Sequence, residues 1–346
     1  MAARLTVDLA ALARNHRTLS AAAASARVAP VLKADGYGLG AAAVGARLWQ
    51  EGAREFFVAR LAEGEALRRA LGDERPAVVF VLDGLAGESP SRFTAAELTP
   101  VLNSGEDIAA WTPTCRPAAL HFDTGMNRLG LDPADAAQAR ACQIVHVMSH
   151  LACAADPGDP RNRAQLARFA AVRALFPEAS ASLAASAGIF LGPEYHFDLV
   201  RPGISLFGGG PREAPDERIE SVAILEAPIL QVRRLRPGDQ VGYGEGFTAP
   251  CPMTIALLEA GYADGVLRRS KGAASASLRG HAAPVLTVSM DLIAVDVGRV
   301  PSAEVGEFVE LLGPHALLDD LAAAAGTVAH ECLVRLSLRA DRRYVG

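Results

Sequence analysis

The chain is almost without lysine. Of its 34 basic residues, 32 are arginine, and only Lys33 and Lys271 are lysine. Arginine replaces lysine readily on a surface, but a guanidinium forms no imine and does not shuttle a proton near neutral pH. A lysine kept in such a chain therefore points to chemistry. Lys33 closes the apolar run Val31-Leu32, whereas Lys271 sits in a loop-like Ser-Lys-Gly and stays open to the plainer reading of a compositional remnant. Cysteine is also scarce: five residues (115, 142, 153, 251 and 332), odd in number and without CxxC spacing. That excludes a disulfide frame or a zinc ribbon and suits reduced, mostly buried thiols in a cytoplasmic protein. No uncharged apolar run approaches the roughly 18 residues of a membrane span, and Arg4, Asp8 and Arg14 leave no apolar core for a secretory signal. There is no basic tract, and the net charge is −5. A nucleic-acid or anionic-membrane partner thus has no electrostatic footprint. The nearest cluster, Arg233, Arg234 and Arg236, is expected on a solvated strand face.

What is present suits a large folded core. Half of the 346 residues are apolar and 21% are charged, enough for two domains or a barrel with an appendage. Asp8 can cap a helix carrying Leu9, Leu12 and Leu19. Eight strand candidates follow: Val28–Leu32, Phe56–Ala59, Ala77–Leu82, Thr99–Leu102, Ala118–Phe122, Ile144–Ser149, Ala181–Ala185 and Phe197–Val200. Helical patterns at 40–51, 61–71, 105–111, 133–141 and 161–176 separate most of them. Eight such units closing on themselves describe an α/β fold of the (β/α)8 TIM-like barrel type, assigned to residues 8–215. The polar, proline-containing stretch 211–220 is the expected linker. Beyond it, short β-like runs divided by turns, such as Arg236-Pro237-Gly238-Asp239, predict a mainly β domain over 221–346, with residues 1–7 open to joining it. Only Leu317–Ala324 is clearly helical there.

In a barrel of this kind, function collects at the C-terminal strand ends. The unusual polar residues fall at those ends. Strand one ends in Lys33, followed by Ala34-Asp35-Gly36-Tyr37-Gly38. Strand five ends in His121-Phe122-Asp123 and runs into Thr124-Gly125-Met126-Asn127-Arg128. Strand six ends in Ser149-His150, strand seven in Ala185-Ser186, and strand eight leads into Arg201-Pro202-Gly203-Ile204. An amine, two guanidiniums, a hydroxyl and glycine-rich backbone suit an anionic, phosphorylated aldehyde cofactor. His146 and His150 are four apart, but the pair lies on a strand and lacks the glutamate of a zinc helix. A barrel-interior histidine is favoured, and no metal is expected.

Val31-Leu32-Lys33-Ala34-Asp35-Gly36-Tyr37-Gly38 resembles the pyridoxal-phosphate lysine motif of alanine racemases. Asp123 to Gly130, Ser149-His150-Leu151, Arg201 to Ile204, Gly261-Tyr262-Ala263-Asp264-Gly265 and Ser289-Met290-Asp291 match that family in order. The resemblance runs from Leu5 to Tyr344. It implies a barrel plus a β domain in a head-to-tail homodimer whose active sites are shared between subunits, with pyridoxal 5'-phosphate as cofactor and a small amino acid as substrate. It implies that Lys33 anchors the cofactor and, once freed, is the base on one face of the substrate. Tyr262 of the partner subunit is the base on the other face. Tyr37, Ser186 and the backbone of Gly203 and Ile204 would hold the phosphate. Arg201 would face the pyridine nitrogen, and His150 and Arg201 would tune Tyr262 through a hydrogen-bond chain. Arg128 and the backbone of Met290 would take the substrate carboxylate, with Asp291 in support. The implied role is interconversion of L- and D-alanine, supplying D-alanine for the cell wall.

The chain departs from the family pattern at several points. His121 stands where many members carry a carbamylated lysine that orients the arginine at Arg128, so another partner is required, a bound anion among the options. Ala185, Gly36, Leu39 and His330 replace more usual residues, and no phosphate-binding tyrosine occurs near Leu338. A racemase for another small amino acid such as serine, a barrel-fold decarboxylase, and a non-catalytic carrier of the cofactor are the alternatives. Tyr262 argues against the last two.

Overall fold

The computed structural model describes residues 2–141, 143–244, 246–336 and 338–346. Cys142, one of the five thiols above, lies outside them. The chain divides into two compact units, Ala13–Leu206 and a second made of the residues up to Leu12 with Phe207–Gly346.

In the first unit, six parallel strands pair in sequence order: Glu55–Val58, Val78–Val81, Thr99–Leu102, Pro117–His121, Gln143–Met148 and Ser180–Ser182. Arg27–Val28 pairs in parallel with Leu199–Val200. The bridges Val31 to Phe57 and Ala185 to Arg201 join that pair to both ends of the six. Eight strands therefore close into a ring, as the alternating pattern predicted. Each strand reads as a nearly continuous apolar run because both of its faces are covered. Phe56, Phe57 and Val58 are fully buried. Phe57 stacks on Phe80 with centroids 4.6 Å apart, and the His146 ring lies 5.5 Å from Phe80. His146 is thus a core histidine, paired through Nδ1 to Ser180 Oγ at 2.7 Å.

Three local expectations need correction. The first barrel strand is regular only over Arg27–Val28, because Pro30 has no N–H to give the ladder. The segment 133–141, predicted as an α-helix, is a 3-10 helix. Of the described thiols only Cys332 is buried, while Cys115 and Cys251 are exposed and Cys153 is half-buried. The helix Leu9–Ala22 does begin at Asp8, whose Oδ1 accepts from Ala11 N at 2.8 Å.

The second unit is mainly β. Six antiparallel strands, Met253–Leu258, Ile293–Asp296, His281–Val288, Ser275–Leu278, Phe308–Leu312 and Ala223–Leu235, pair in that order, and the last also pairs with the first. The ring closes because Ala223–Leu235 is 13 residues long and bulges between Ile229 and Gln231. Its first half serves Phe308–Leu312 and its second half Met253–Leu258, a use of a bulge to turn a barrel corner. Arg4–Asp8 adds antiparallel to Ala223–Leu235, and Asp341–Val345 adds parallel to Arg4–Asp8. The 236–239 turn forms as expected, with Asp239 N bonded to Arg236 O at 3.1 Å. Arg233, Arg234 and Arg236 are exposed.

Candidate active site

Lys33 ends the first barrel strand and opens a turn of unusual hand. Ala34, Asp35 and Gly36 sit at φ 53, 54 and 63°, and Tyr37 at φ 56°. A left-handed run of this length is rare, since each residue with a Cβ costs about 1–2 kcal/mol there. The surroundings hold it in place: Gly36 N bonds to Leu32 O at 2.9 Å and Gly38 N to Ala34 O at 2.7 Å, and Asp35 Oδ1 accepts from Ala41 N at 2.8 Å. Burial lowers the Lys33 amine's pKa and Arg128 lowers it further, against the opposing pull of Glu63 and Asp83.

The turn delivers Tyr37 into the barrel mouth, where it is buried. Its ring lies against Gly203, where a Cβ would overlap the hydroxyl and sit 2.9 Å from Cζ. Only glycine permits that approach. Ser186 Oγ accepts from Gly203 N at 3.0 Å and from Ser205 N at 3.3 Å. Ile204 starts the buried 3-10 turn Ile204–Leu206. Tyr37, Ser186, Gly203 and Ile204 are therefore brought together.

Arg201 is buried at the end of the eighth strand. It donates to Ser182 Oγ and to the carbonyls of Ser149, at 2.5 Å, and Leu183, at 3.5 Å. Among the described residues no carboxylate pairs with it. Burial lowers its pKa to about 9, which leaves it a cation at neutral pH. A buried cation held only by neutral oxygens is ready to donate to a further acceptor.

His121 is buried, and burial, then Arg201 and Arg128, lower its pKa to about 4. It is neutral at working pH. Its Nδ1 lies 2.9 Å from Asn103 Oδ1. The Asn103 amide donates to Leu82 O at 2.9 Å and Val101 O at 2.8 Å, so Oδ1 is the acceptor and Nδ1 carries the hydrogen. Nε2 then keeps a lone pair. That lone pair suits a guanidinium N–H and repels an anion, which points away from a chloride beside His121. Arg128 is exposed, with no carboxylate partner among the described residues. Its loop is set by Asp123, whose carboxylate accepts from Gly125 N and Met126 N at 2.8 Å each. Burial raises the Asp123 carboxyl, but the backbone amides from Gly125 to Arg128 outweigh it and hold it below its ordinary value. His150 lies far below its usual pKa through burial, then Arg201, Arg128, His121 and Lys33. It too is neutral.

Tyr262, Met290 and Asp291 belong to the second unit and form their own cluster. Tyr262 N bonds to Ser289 O at 2.9 Å and Ala263 N to Met290 O at 3.1 Å. The loops approach so closely that a Cβ on Gly261 would collide with the Met290 carbonyl. Arg339 ties them together: Nε donates to the buried Asp264 at 2.9 Å and Nη1 to Asp291 at 2.7 Å. Tyr262 and Met290 stay half-exposed, at 43% and 53%, so their side chains are presented outward from this unit.

Sequence reading missed Asn103, Ser182 and Arg339, and gave Asp264, inside the 261–265 motif, no role. Asn103 carried a signal, a polar residue ending an apolar barrel strand. Arg339 carried none, being one arginine among many, 75 positions from the aspartate it grips.

The fold and the site define a (β/α)8-barrel enzyme with a strand-end lysine beside the cluster of Tyr37, Ser186 and Gly203, followed by a mainly β domain. The family described as alanine racemase, N-terminal domain, matches residues 7–211, and alanine racemase, C-terminal domain, matches 222–344. An alanine racemase of Methylobacterium nodulans is 45% identical over 358 residues, 99% of this chain and 96% of its own. A catabolic alanine racemase of Mesorhizobium japonicum is 44% identical, covering 99% and 93%. The crystal structure of alanine racemase from Bartonella henselae with covalently bound pyridoxal phosphate superposes with a TM-score of 0.92 at 35% identity over all of both chains. The chain belongs to the alanine racemase family.

Proposed function

We propose that the chain is a pyridoxal 5'-phosphate-dependent racemase interconverting L- and D-alanine, with Lys33 and Tyr262 as bases on opposite faces of the substrate Cα. The observation that carries this reading is the lone strand-end lysine at one mouth with a buried arginine that has no carboxylate partner among the described residues. The residues fit the cofactor: the glycine at 203 lets the Tyr37 hydroxyl reach a cradle that a Cβ would fill, and Ser186 and the Ile204 amide complete a phosphate-binding set. When bound, the group supplies the electron sink that acidifies the substrate Cα–H.

The chain's own residues then divide the work. The lowered pKa of Lys33 favours the unprotonated amine a base requires. Arg201 can only donate, so it would leave a ring nitrogen held against it unprotonated, and the sink weak. Arg128 takes the substrate carboxylate, and the neutral His121 holds it by accepting from it. The partner subunit's Tyr262 is the second base, with Met290 and Asp291 beside it, in a cytoplasmic homodimer. His150, neutral and able to accept a hydrogen bond, would help orient the Tyr262 hydroxyl. The unit Ala13–Leu206 would be the cofactor-binding part, and the unit of the residues up to Leu12 with Phe207–Gly346 the β part, in place of the expected bounds 8–215 and 221–346. D-alanine for the cell wall is the proposed product use.

The test is chiral separation after incubating the cofactor-loaded protein with L-alanine and, separately, L-serine. D-alanine is expected. D-serine alone would reassign the substrate, and no antipode of either would leave a cofactor carrier.

A further inference from the structure

Glu63 makes more contacts than its helix requires. It lies in the first turn of the helix Leu61–Leu71 and caps it in the ordinary way. One oxygen, Oε2, accepts from Ala59 N at 2.8 Å and Arg60 N at 3.1 Å. Those two amides follow the second barrel strand. The other oxygen, Oε1, turns away from the helix and accepts from Ala34 N at 2.8 Å. Ala34 N belongs to the Lys33–Ala34 peptide. The first and second strands already meet through Leu32 N to Phe57 O at 2.7 Å, and the left-handed turn ends that ladder. Glu63 carries the connection one residue further. Fixing the Lys33–Ala34 peptide plane fixes ψ of Lys33, and with it the line along which the side chain leaves the strand. Backbone in a sparsely populated region persists only where its surroundings over-determine it, and a carboxylate–amide bond is among the stronger ones available.

We propose that Glu63 is a positioning residue for Lys33: its carboxylate straps the Lys33–Ala34 peptide to the end of the second barrel strand and so aims the lysine amine. The proposal rests on the reading of Lys33 as anchor and base. The charged and titratable groups facing that amine are Arg128, Asp83, Glu63 and the neutral His150.

Glu63→Gln is the test. One amide oxygen can serve Ala34 or the helix cap, not both, and its NH2 would oppose an N–H. In the holoenzyme, kcat for alanine should fall about 10- to 100-fold, the scale of a small misplacement of a reacting group, with KM little changed. The acid limb of the rate profile should move to lower pH, since a negative charge that favours the protonated amine is gone. Hydrogen exchange supplies a readout apart from activity: the Ala34 amide should lose protection while Glu65–Leu71 keeps it. A merely structural role would lower the melting temperature and the Glu65–Leu71 protection and leave kcat of the folded holoenzyme unchanged. Unchanged Ala34 protection, or an unchanged kcat and limb, overturns the proposal. If Glu63→Gln is too unstable to isolate, the double variant with Ala34→Gly takes its place, because glycine accepts positive φ without strain. Absence of D-alanine with the unmodified protein would sink the racemase reading instead, and the exchange result would still decide the clamp.

Discussion

Replacing Gly203 by alanine tests the proposed phosphate cradle at its tightest point. The added Cβ would overlap the Tyr37 hydroxyl and lie 2.9 Å from Cζ, where carbon atoms normally stand about 3.5–4.0 Å apart. The Tyr37 ring must therefore retreat by roughly 0.6–1.1 Å, and its hydroxyl by more. Tyr37 is buried on the left-handed turn beside Lys33, so the ring has little room and the strain passes to that turn. Overpacking of this kind costs about 1–3 kcal/mol, which lowers the melting temperature by several degrees in a unit of this size. The cofactor effect is separate. Withdrawing one hydroxyl from a charged phosphate forfeits about 1.5–3 kcal/mol, or roughly 10- to 150-fold in affinity. Thermal unfolding of the cofactor-free protein reads the first term, and equilibrium dialysis against pyridoxal phosphate reads the second. Tyr37→Phe in the Gly203→Ala background removes the overlapping atom and should recover part of the stability, a coupling that a double-mutant cycle isolates. A Gly203→Ala protein that melts and binds like the parent would refute the reasoning.

Other consequences are as direct. Lys33→Ala should abolish racemisation and the visible absorbance of the lysine–cofactor linkage; a borohydride-fixed cofactor in that variant would move the anchor to Lys271, the other lysine. Because His121 is neutral, activity should be unchanged by removal of bicarbonate and flat in a chloride titration at constant ionic strength; a loss on removing carbon dioxide, or a chloride-dependent KM, would contradict the Nε2-acceptor assignment. Stability should fall with acid in a defined window. Above pH 6.5 His121 and His146 are neutral folded and unfolded; below it the unfolded chain takes up protons that the folded chain refuses, down to about 4 for His121 and about 3 for His146. His121 alone accounts for about 3 kcal/mol by pH 4, and a urea midpoint that stays level from pH 6.5 to 4.5 would exclude neutral burial.

Much of this was legible in the residues. Strands buried on both faces announce themselves as apolar runs, so the alternation of runs and helical periods reveals the barrel, and the barrel says where to look for polar strand ends. Lys33 stood out because arginine had displaced lysine almost everywhere else. The hand of the turn after Lys33 was not legible: Ala34, Asp35 and Tyr37 have no preference for positive φ, and tertiary contacts impose it. The tautomer of His121 depends on Asn103, 18 positions away and on another strand. The Arg339 clip joins segments that no local pattern relates. Long-range polar contacts among common residue types leave no periodicity to read.

The two-base assignment is tested most directly by proton exchange in deuterated water with Tyr262→Phe holoenzyme. With one base removed, Lys33 should still reach the Cα–H of one alanine enantiomer. That enantiomer should acquire deuterium at Cα with its configuration retained, while its antipode exchanges at least tenfold more slowly, roughly the smallest contribution expected of a positioned base, and little inversion accumulates. Equal exchange of both enantiomers, or undiminished racemisation, would contradict the account.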